Sequence, residues 1–299
     1  MTTPTSKRPN YGAPLLILPS GRAGETALKL TGMLAIILPL SLLAILIGTT
    51  FIQGAERLSA DFLTDLPSRR ASAAGIGPAL AGTGMLMVLT AAIALPLGIG
   101  AALWLEEYAR PSRFTGFVEL IISTLAGVPS IVYALLALEV FVRTLGMGRS
   151  ILAGAATLAL LVLPMIIMAS REALRTVPHG LREASYGLGG DRWITLRTIV
   201  LPLALPGILT GVILALARAI GETAPLITIG ALTYVAFVPD SLSSAFTALP
   251  IQIFNWVSRP SADFHVTAAA AIVVLLTVML VMNGLAIWLR SRLQTRIEG

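Results

Sequence analysis

Four ionisable side chains stand inside long apolar runs: Glu119, Glu139, Arg218 and Glu222. A charge in hydrocarbon is costly, so such residues face a cavity, an interface or one another. Glu119 lies near the start of its run and Glu139 near the end, so each can reach a membrane boundary. Arg218 and Glu222 have apolar or small neighbours on both sides. Their i, i+4 spacing puts them on one helical face, close enough to pair. A helix from about Leu205 to Thr233 places Arg218 roughly 20 Å along its axis, near mid-membrane. One reading is a charge positioned on a transport path. The competing one is a neutralised pair that only helps helices pack.

Other chemistry is poorly supplied. The chain has no cysteine, which removes disulfides, thiolate metal sites and thiol catalysis. His179 and His265 are its only histidines, too few for a histidine metal cluster and a weak basis for a Ser-His-Asp triad. No G-x-x-x-x-G-K-[ST] string occurs, so a nucleotide must be bound elsewhere. The net charge of +6 is scattered between apolar runs and not gathered into a stripe with aromatics, which argues against nucleic acid. No catalytic or metal-ligating set is expected.

The elements that position these charges follow from composition. Of 299 residues, 56% are hydrophobic and 12% charged, so lipid is the solvent for most of the chain. Six runs are long enough to cross as helices: Leu34 to Ile52, Ala79 to Leu105, Phe117 to Phe141, Ile151 to Ala169, Leu203 to Leu232 and Val266 to Leu289. The first follows a basic stretch (Lys7, Arg8, Arg22, Lys29), yet it exceeds a signal-peptide core and lacks an A-x-A-like site, so an uncleaved span is expected. With six spans, 14 of the 21 Lys and Arg residues fall on one side and 6 on the other, Arg218 being within a span. Positive loops stay inside, so both termini and the fourth connection are expected in the cytoplasm.

The expected fold is all-α, a polytopic bundle of about six membrane helices. Residues 1–27 read as a mobile tail, 28–53 as the first span, 54–74 as a periplasmic linker, 75–290 as the core with a loop over 172–200, and 291–299 as a cytoplasmic tail. Within the core Pro96, Pro129, Pro164, Pro206 and Pro225 interrupt helices. The freed carbonyls are tolerated only against neighbouring helices or a wet cavity. Such kinks serve ordinary packing as well as a translocation path. Small residues such as Gly98, Gly100 and Ala268 to Ala271 allow close helix approach.

The fourth connection, Glu172 to Val200, is amphipathic and charged. Its pattern predicts a helix ending before Pro178, a second segment from Leu181 to Tyr186, a break at Gly187, Gly189 and Gly190, and a third segment capped by Asp191. The string Glu183-Ala184-Ser185, then Gly189 after three residues, Ile199 after nine, and Leu201-Pro202 resembles the cytoplasmic signature of the type I permease family of ABC importers. Ser185 stands where that family has Ala. The resemblance implies that the loop inserts coupling helices into a groove on a separate ATPase subunit. Short side chains at Ala184 and Ser185 would let a helix sit deep, Glu183 could pair with a basic residue or cap the helix, and Gly189 permits a sharp turn. An amphipathic helix lying on lipid headgroups is the alternative.

Arg218-Ala-Ile-Gly-Glu222-Thr-Ala-Pro225 resembles the phosphate-specific branch of that family, as do Gly127-Val-Pro-Ser-Ile131 and Leu249-Pro-Ile-Gln-Ile-Phe-Asn-Trp256 with Arg259-Pro260. The last segment looks like the PstA rather than the PstC partner. The resemblance implies a PstC-like second permease, two PstB-like ATPase subunits carrying ATP and Mg, and a periplasmic PstS-like binding protein, with no cofactor in this chain. Arg218 would then serve phosphate, and Glu222 would offset it so that the anion can leave. Transport of sulfate, molybdate or phosphonate, and a membrane sensor or scaffold that moves nothing, stay open as other readings.

Overall fold

A computed structural model of the protein describes residues 22–231 and 234–298. Residues 1–21, with Lys7 and Arg8 of the expected tail, and Leu232 and Thr233 lie outside the described residues. The described chain is helical: α1 (Arg22–Ala55), α2 (Ala60–Thr64), α3 (Gly77–Leu103), α4 (Arg113–Ala126), α5 (Ser130–Ala137), α6 (Ile151–Arg175), α7 (His179–Gly187), α8 (Arg192–Thr195), α9 (Leu201–Gly221), α10 (Ala224–Thr228), α11 (Leu249–Val257) and α12 (Ala262–Glu298). Turns of π-helix over Trp104–Tyr108, Leu138–Thr144 and Leu196–Val200 extend α3 and α5 and join α8 to α9. Serine caps start several helices, with Ser112 Oγ accepting from Thr115 N and Ser150 Oγ from Ala153 N.

Two units divide between Thr49 and Thr50. In the first, the α1 side chains over residues 24–47 are exposed on every face, as suits a helix solvated by lipid. The second unit holds the core. Among the described residues five helices are long and apolar enough to cross a membrane: Gly24–Ala55, Gly77–Tyr108, Ile151–Arg175, Arg192–Gly221 and Ala262–Arg292. The third expected span is not one straight helix. It folds as Arg113–Ala126 and Ser130–Thr144, bent by 107° at Gly127-Val128-Pro129, and makes a sixth span only if the bent pair is counted as one. Proline removes a donor and disfavours α geometry at the residue before it, which accounts for the break.

The fifth expected helix also stops short of Thr233. α9 ends at Gly221 because Glu222 takes an extended backbone, and Pro225 then starts α10. The stretch expected to be a linker is packed. Phe62, Ala74 and Ile76 are buried beside Leu249, Trp256 and Phe264, with the Trp256 ring 6.3 Å from Phe62 and 6.5 Å from Phe264. Arg57 ties it down by donating to the carbonyls of Ala71 and Ala74. The core, expected to begin at residue 75, thus takes in Phe62 from the stretch before it.

The closest approach of glycine to alanine joins α6 and α9, which run antiparallel. A Cβ added at Gly207 would lie 2.7 Å from Ala173 Cβ, and one at Gly211 would overlap Ala169 Cβ. Glycines four apart on one helix thus face alanines four apart on the other. Without a hydrophobic drive in lipid, such close backbone approach is what holds helices together. The seam is continued by Val162, Ile166, Leu174, Val200, Ile208 and Val212.

A side chain at this crossing must push the helices apart. Gly211→Leu should destabilise the purified protein in detergent by about 1–3 kcal/mol, the usual cost of overpacking, and lower its unfolding midpoint. Gly84→Leu, where a Cβ meets open space, is the control and should leave the midpoint unchanged.

Candidate functional site

Arg218 occupies the last turn of α9, level with the middle of α6. Its Nη1 is 3.2 Å from Met165 Sδ on α6, and Met165 is roughly 21 Å from the Ile151 end of that helix and 15 Å from the Arg175 end. The helix expected to surround the residue ends at Gly221, three residues beyond it. Arg218 Nε donates to Glu222 Oε1 at 3.4 Å, so the i, i+4 pair forms. Its long distance and single contact leave Nη2 without a partner among the described residues. Arg218 is 46% exposed and Glu222 18%, so the guanidinium keeps an open side.

Both helix breaks gather around this pair. Glu222 and Thr223 interrupt α9 and α10, and α10 packs on α5, which begins just past the break at Pro129. Tyr133 of α5 is buried and donates its hydroxyl to Leu125 O at 2.7 Å, closing the α4–α5 bend. Broken helices at membrane depth need protein or water around them and are where transporters form binding sites. The arrangement offers an anion a fixed cation with free donors, flanked by a single carboxylate.

The loop between α6 and α9 is built as the spacing predicts. Pro178 precedes α7, and Asp191 caps α8 by accepting from Ile194 N at 2.7 Å. Gly189 takes φ +86°, a left-handed turn that a residue with a Cβ resists. Glu183 and Ala184 face outward, and Glu183 has no ion-pair partner among the described residues. Leu188 is 91% exposed, and Tyr186, Trp193 and Ile194 are exposed beside it.

Ser185 is not on that outward face. It is buried, with its hydroxyl 2.8 Å from Thr195 Oγ1 and its carbonyl accepting from Gly190 N, so it fastens α7 to α8 and offers no room to a partner. Ile199, Leu201 and Pro202 are partly buried where the π-helical turn passes into the root of α9. The seven residues of the signature therefore divide between an outward face (Glu183, Ala184, Gly189), an inward clasp (Ser185) and a helix root.

Sequence reasoning missed an ion lattice at the same end of the bundle. Arg171 donates to Glu106 (3.3 Å) and Glu119 (2.6 Å), Arg175 to Glu106 (3.0 Å) and Arg182 to Glu107 (2.9 Å). Glu119, which could have sat alone at a boundary, is thus paired. The arginines had served only to orient the chain, and the acidic doublet Glu106-Glu107 ending an apolar run was the available signal. Glu139 pairs with Arg143 on the surface.

A helical bundle with an outward loop between two closely packed spans and a half-open arginine amid broken helices is a transport permease architecture. The chain belongs to the family of the inner membrane component of binding-protein-dependent transport systems, whose model matches residues 94–295. Its relatives include a phosphate transport system permease protein PstA 1 of Mycobacterium tuberculosis, 38% identical over 73% of this chain and 71% of that one. PstA of Yersinia pestis is 34% identical over 80% of each, and a probable ABC transporter permease, YqgI, of Bacillus subtilis is 33% identical over 86% and 92%. The PstA-type resemblance is borne out by these relatives. In fold, the chain matches a permease of a bacterial alginate ABC transporter (TM-score 0.60, 15% identity, 89% of this chain and 92% of that one). It also matches a subunit of the methionine transporter in an inward-facing form (TM-score 0.56, 20% identity, 73% and 94%).

The Ser185 clasp gives a direct check. Ser185→Ala should cost about 1 kcal/mol, because Thr195 keeps a buried hydroxyl without its partner. Adding Thr195→Val, which removes that orphan, should recover most of the loss in thermal unfolding.

Proposed function

We propose that this chain is one permease subunit of an ATP-driven importer of inorganic phosphate. The observation that carries the reading is Arg218, near mid-depth with Nη2 unengaged. An anionic charge about 4 Å from such a cation gains roughly 4 kcal/mol at an effective dielectric constant near 20. The planar fork suits phosphate oxygens, and Glu222 weakens the hold so that release remains possible. Named relatives that transport phosphate support the choice over sulfate, molybdate or phosphonate.

The lysine and arginine distribution supports placing both termini and the α7–α8 loop in the cytoplasm. There Glu183, Ala184 and the exposed apolar residues around Leu188 would seat in a groove on an ATPase subunit, with Gly189 shaping the turn. A PstB-like pair would bind ATP and Mg, a PstC-like permease would complete the path, and a PstS-like protein would deliver phosphate from outside. Transport would proceed by alternating access, with closure of the ATPase pair moving the loop. Ile199, Leu201 and Pro202 would carry that movement into α9.

Reconstitution of the full complex in vesicles tests the assignment. ATP-dependent uptake of labelled phosphate is expected. Uptake of another oxyanion instead would move the substrate, and no uptake of any would leave a sensor or scaffold. Arg218→Gln should abolish uptake in a complex that still assembles. Glu183→Lys should weaken ATPase association or uncouple hydrolysis, and wild-type coupling in that variant would refute the docking site.

A further inference from the structure

The helix α7 has few ties to the rest of the bundle. It is nine residues long, leaves its outer face exposed, and is clasped to α8 through Ser185 and Thr195. Its remaining anchor is Arg182. That guanidinium donates to Val177 O (2.6 Å) and Leu174 O (3.0 Å) at the end of α6, and to Glu107 Oε1 (2.9 Å). Among the described residues, the Glu107 contact is the one hydrogen bond or ion pair joining α7 to a helix outside the α6–α9 hairpin. Arg182 is 12% exposed and Glu107 14%, so the pair is largely shielded from water.

Glu107 sits in the π-helical turn Trp104–Tyr108 that ends α3, where Ala109 N reaches back to Trp104 O. Such a turn is a local departure from α geometry of the kind found at functional sites. The adjacent Glu106 is held by Arg171 and Arg175 of α6, and Arg171 also holds Glu119 of α4. Three carboxylates therefore meet three guanidiniums, and the end of α3 is gripped from two sides: Glu106 by α6, Glu107 by α7. Movement of α7 relative to α6 must load this turn.

We propose that Arg182 and Glu107 form the joint through which displacement of α7 enters α3, making both positioning residues for coupled transport. The proposal rests on the reading of α7 as the ATPase contact. A joint that transmits motion must be stiff, and a shielded charge pair braced by two backbone carbonyls is stiffer than a surface ion pair. The same geometry explains why the acidic doublet is split: one carboxylate fixes the helix end and the other senses the loop.

The test uses the complete reconstituted complex and measures phosphate taken up per ATP hydrolysed. Glu107→Gln should lower that ratio by about tenfold or more, as loss of one partner of a desolvated charge pair predicts, while the ATPase subunits remain bound. Arg182→Lys, which keeps the charge, should retain more coupling than Arg182→Gln. Because the chain has no cysteine, Glu107→Cys with Arg182→Cys can be bridged specifically by a short bis-maleimide. The unbridged protein should be uncoupled, and bridging should restore the ratio. A near wild-type ratio in Glu107→Gln, or no recovery on bridging, would overturn the joint. Glu183→Lys, measured in parallel, separates the two readings: lost ATPase binding there with intact coupling in Glu107→Gln refutes the joint alone, and retained coupling in Glu183→Lys refutes the docking site.

Discussion

Where Gly207 and Gly211 meet Ala173 and Ala169, two helix backbones approach more closely than larger side chains would permit. This seam fixes both ends of the molecule's working part. At one end it holds the roots of the α7–α8 loop together, since that loop joins the two helices directly. Farther along it sets Arg218 of α9 against Met165 of α6. Shifting one helix along the other would move both the loop and the arginine. A contact made of missing side chains thus positions the charged chemistry.

Charge is handled in two contrasting ways. At the loop end, three arginines and three glutamates compensate one another in a lattice of short contacts, and four helices converge there. Level with the middle of α6, Arg218 has a single carboxylate at 3.4 Å and a thioether, and much of the guanidinium stays open. A satisfied lattice favours rigidity, whereas an under-satisfied cation favours an exchangeable ligand. Helix breaks beside Arg218 reinforce the contrast, because freed backbone groups at that depth require a polar surrounding.

Some of this was legible in residue order. Long apolar runs, prolines and the Asp191 cap marked the rough places of the helices, because these signals act within a turn or two of themselves. The Arg218–Glu222 pair was legible for the same reason, being four residues apart. Pro129 marked a kink but not a 107° reversal, since the angle depends on what α5 packs against. Ser185 could not be placed by spacing, because the deciding partner, Thr195, lies across the turn at Gly189.

The sequence by itself determined that the chain lives in lipid, which stretches are apolar enough to cross it, and which loop is turned by glycine. Those properties follow from local backbone preference and from the cost of exposing or burying each side chain. Only the tertiary structure decided that α9 stops at Gly221, that Glu106 and Glu107 serve different helices, and that Arg182 reaches Glu107, 75 positions away in sequence. Such pairings depend on how helices cross, and crossing is set by complementary surfaces that no short window of residues contains.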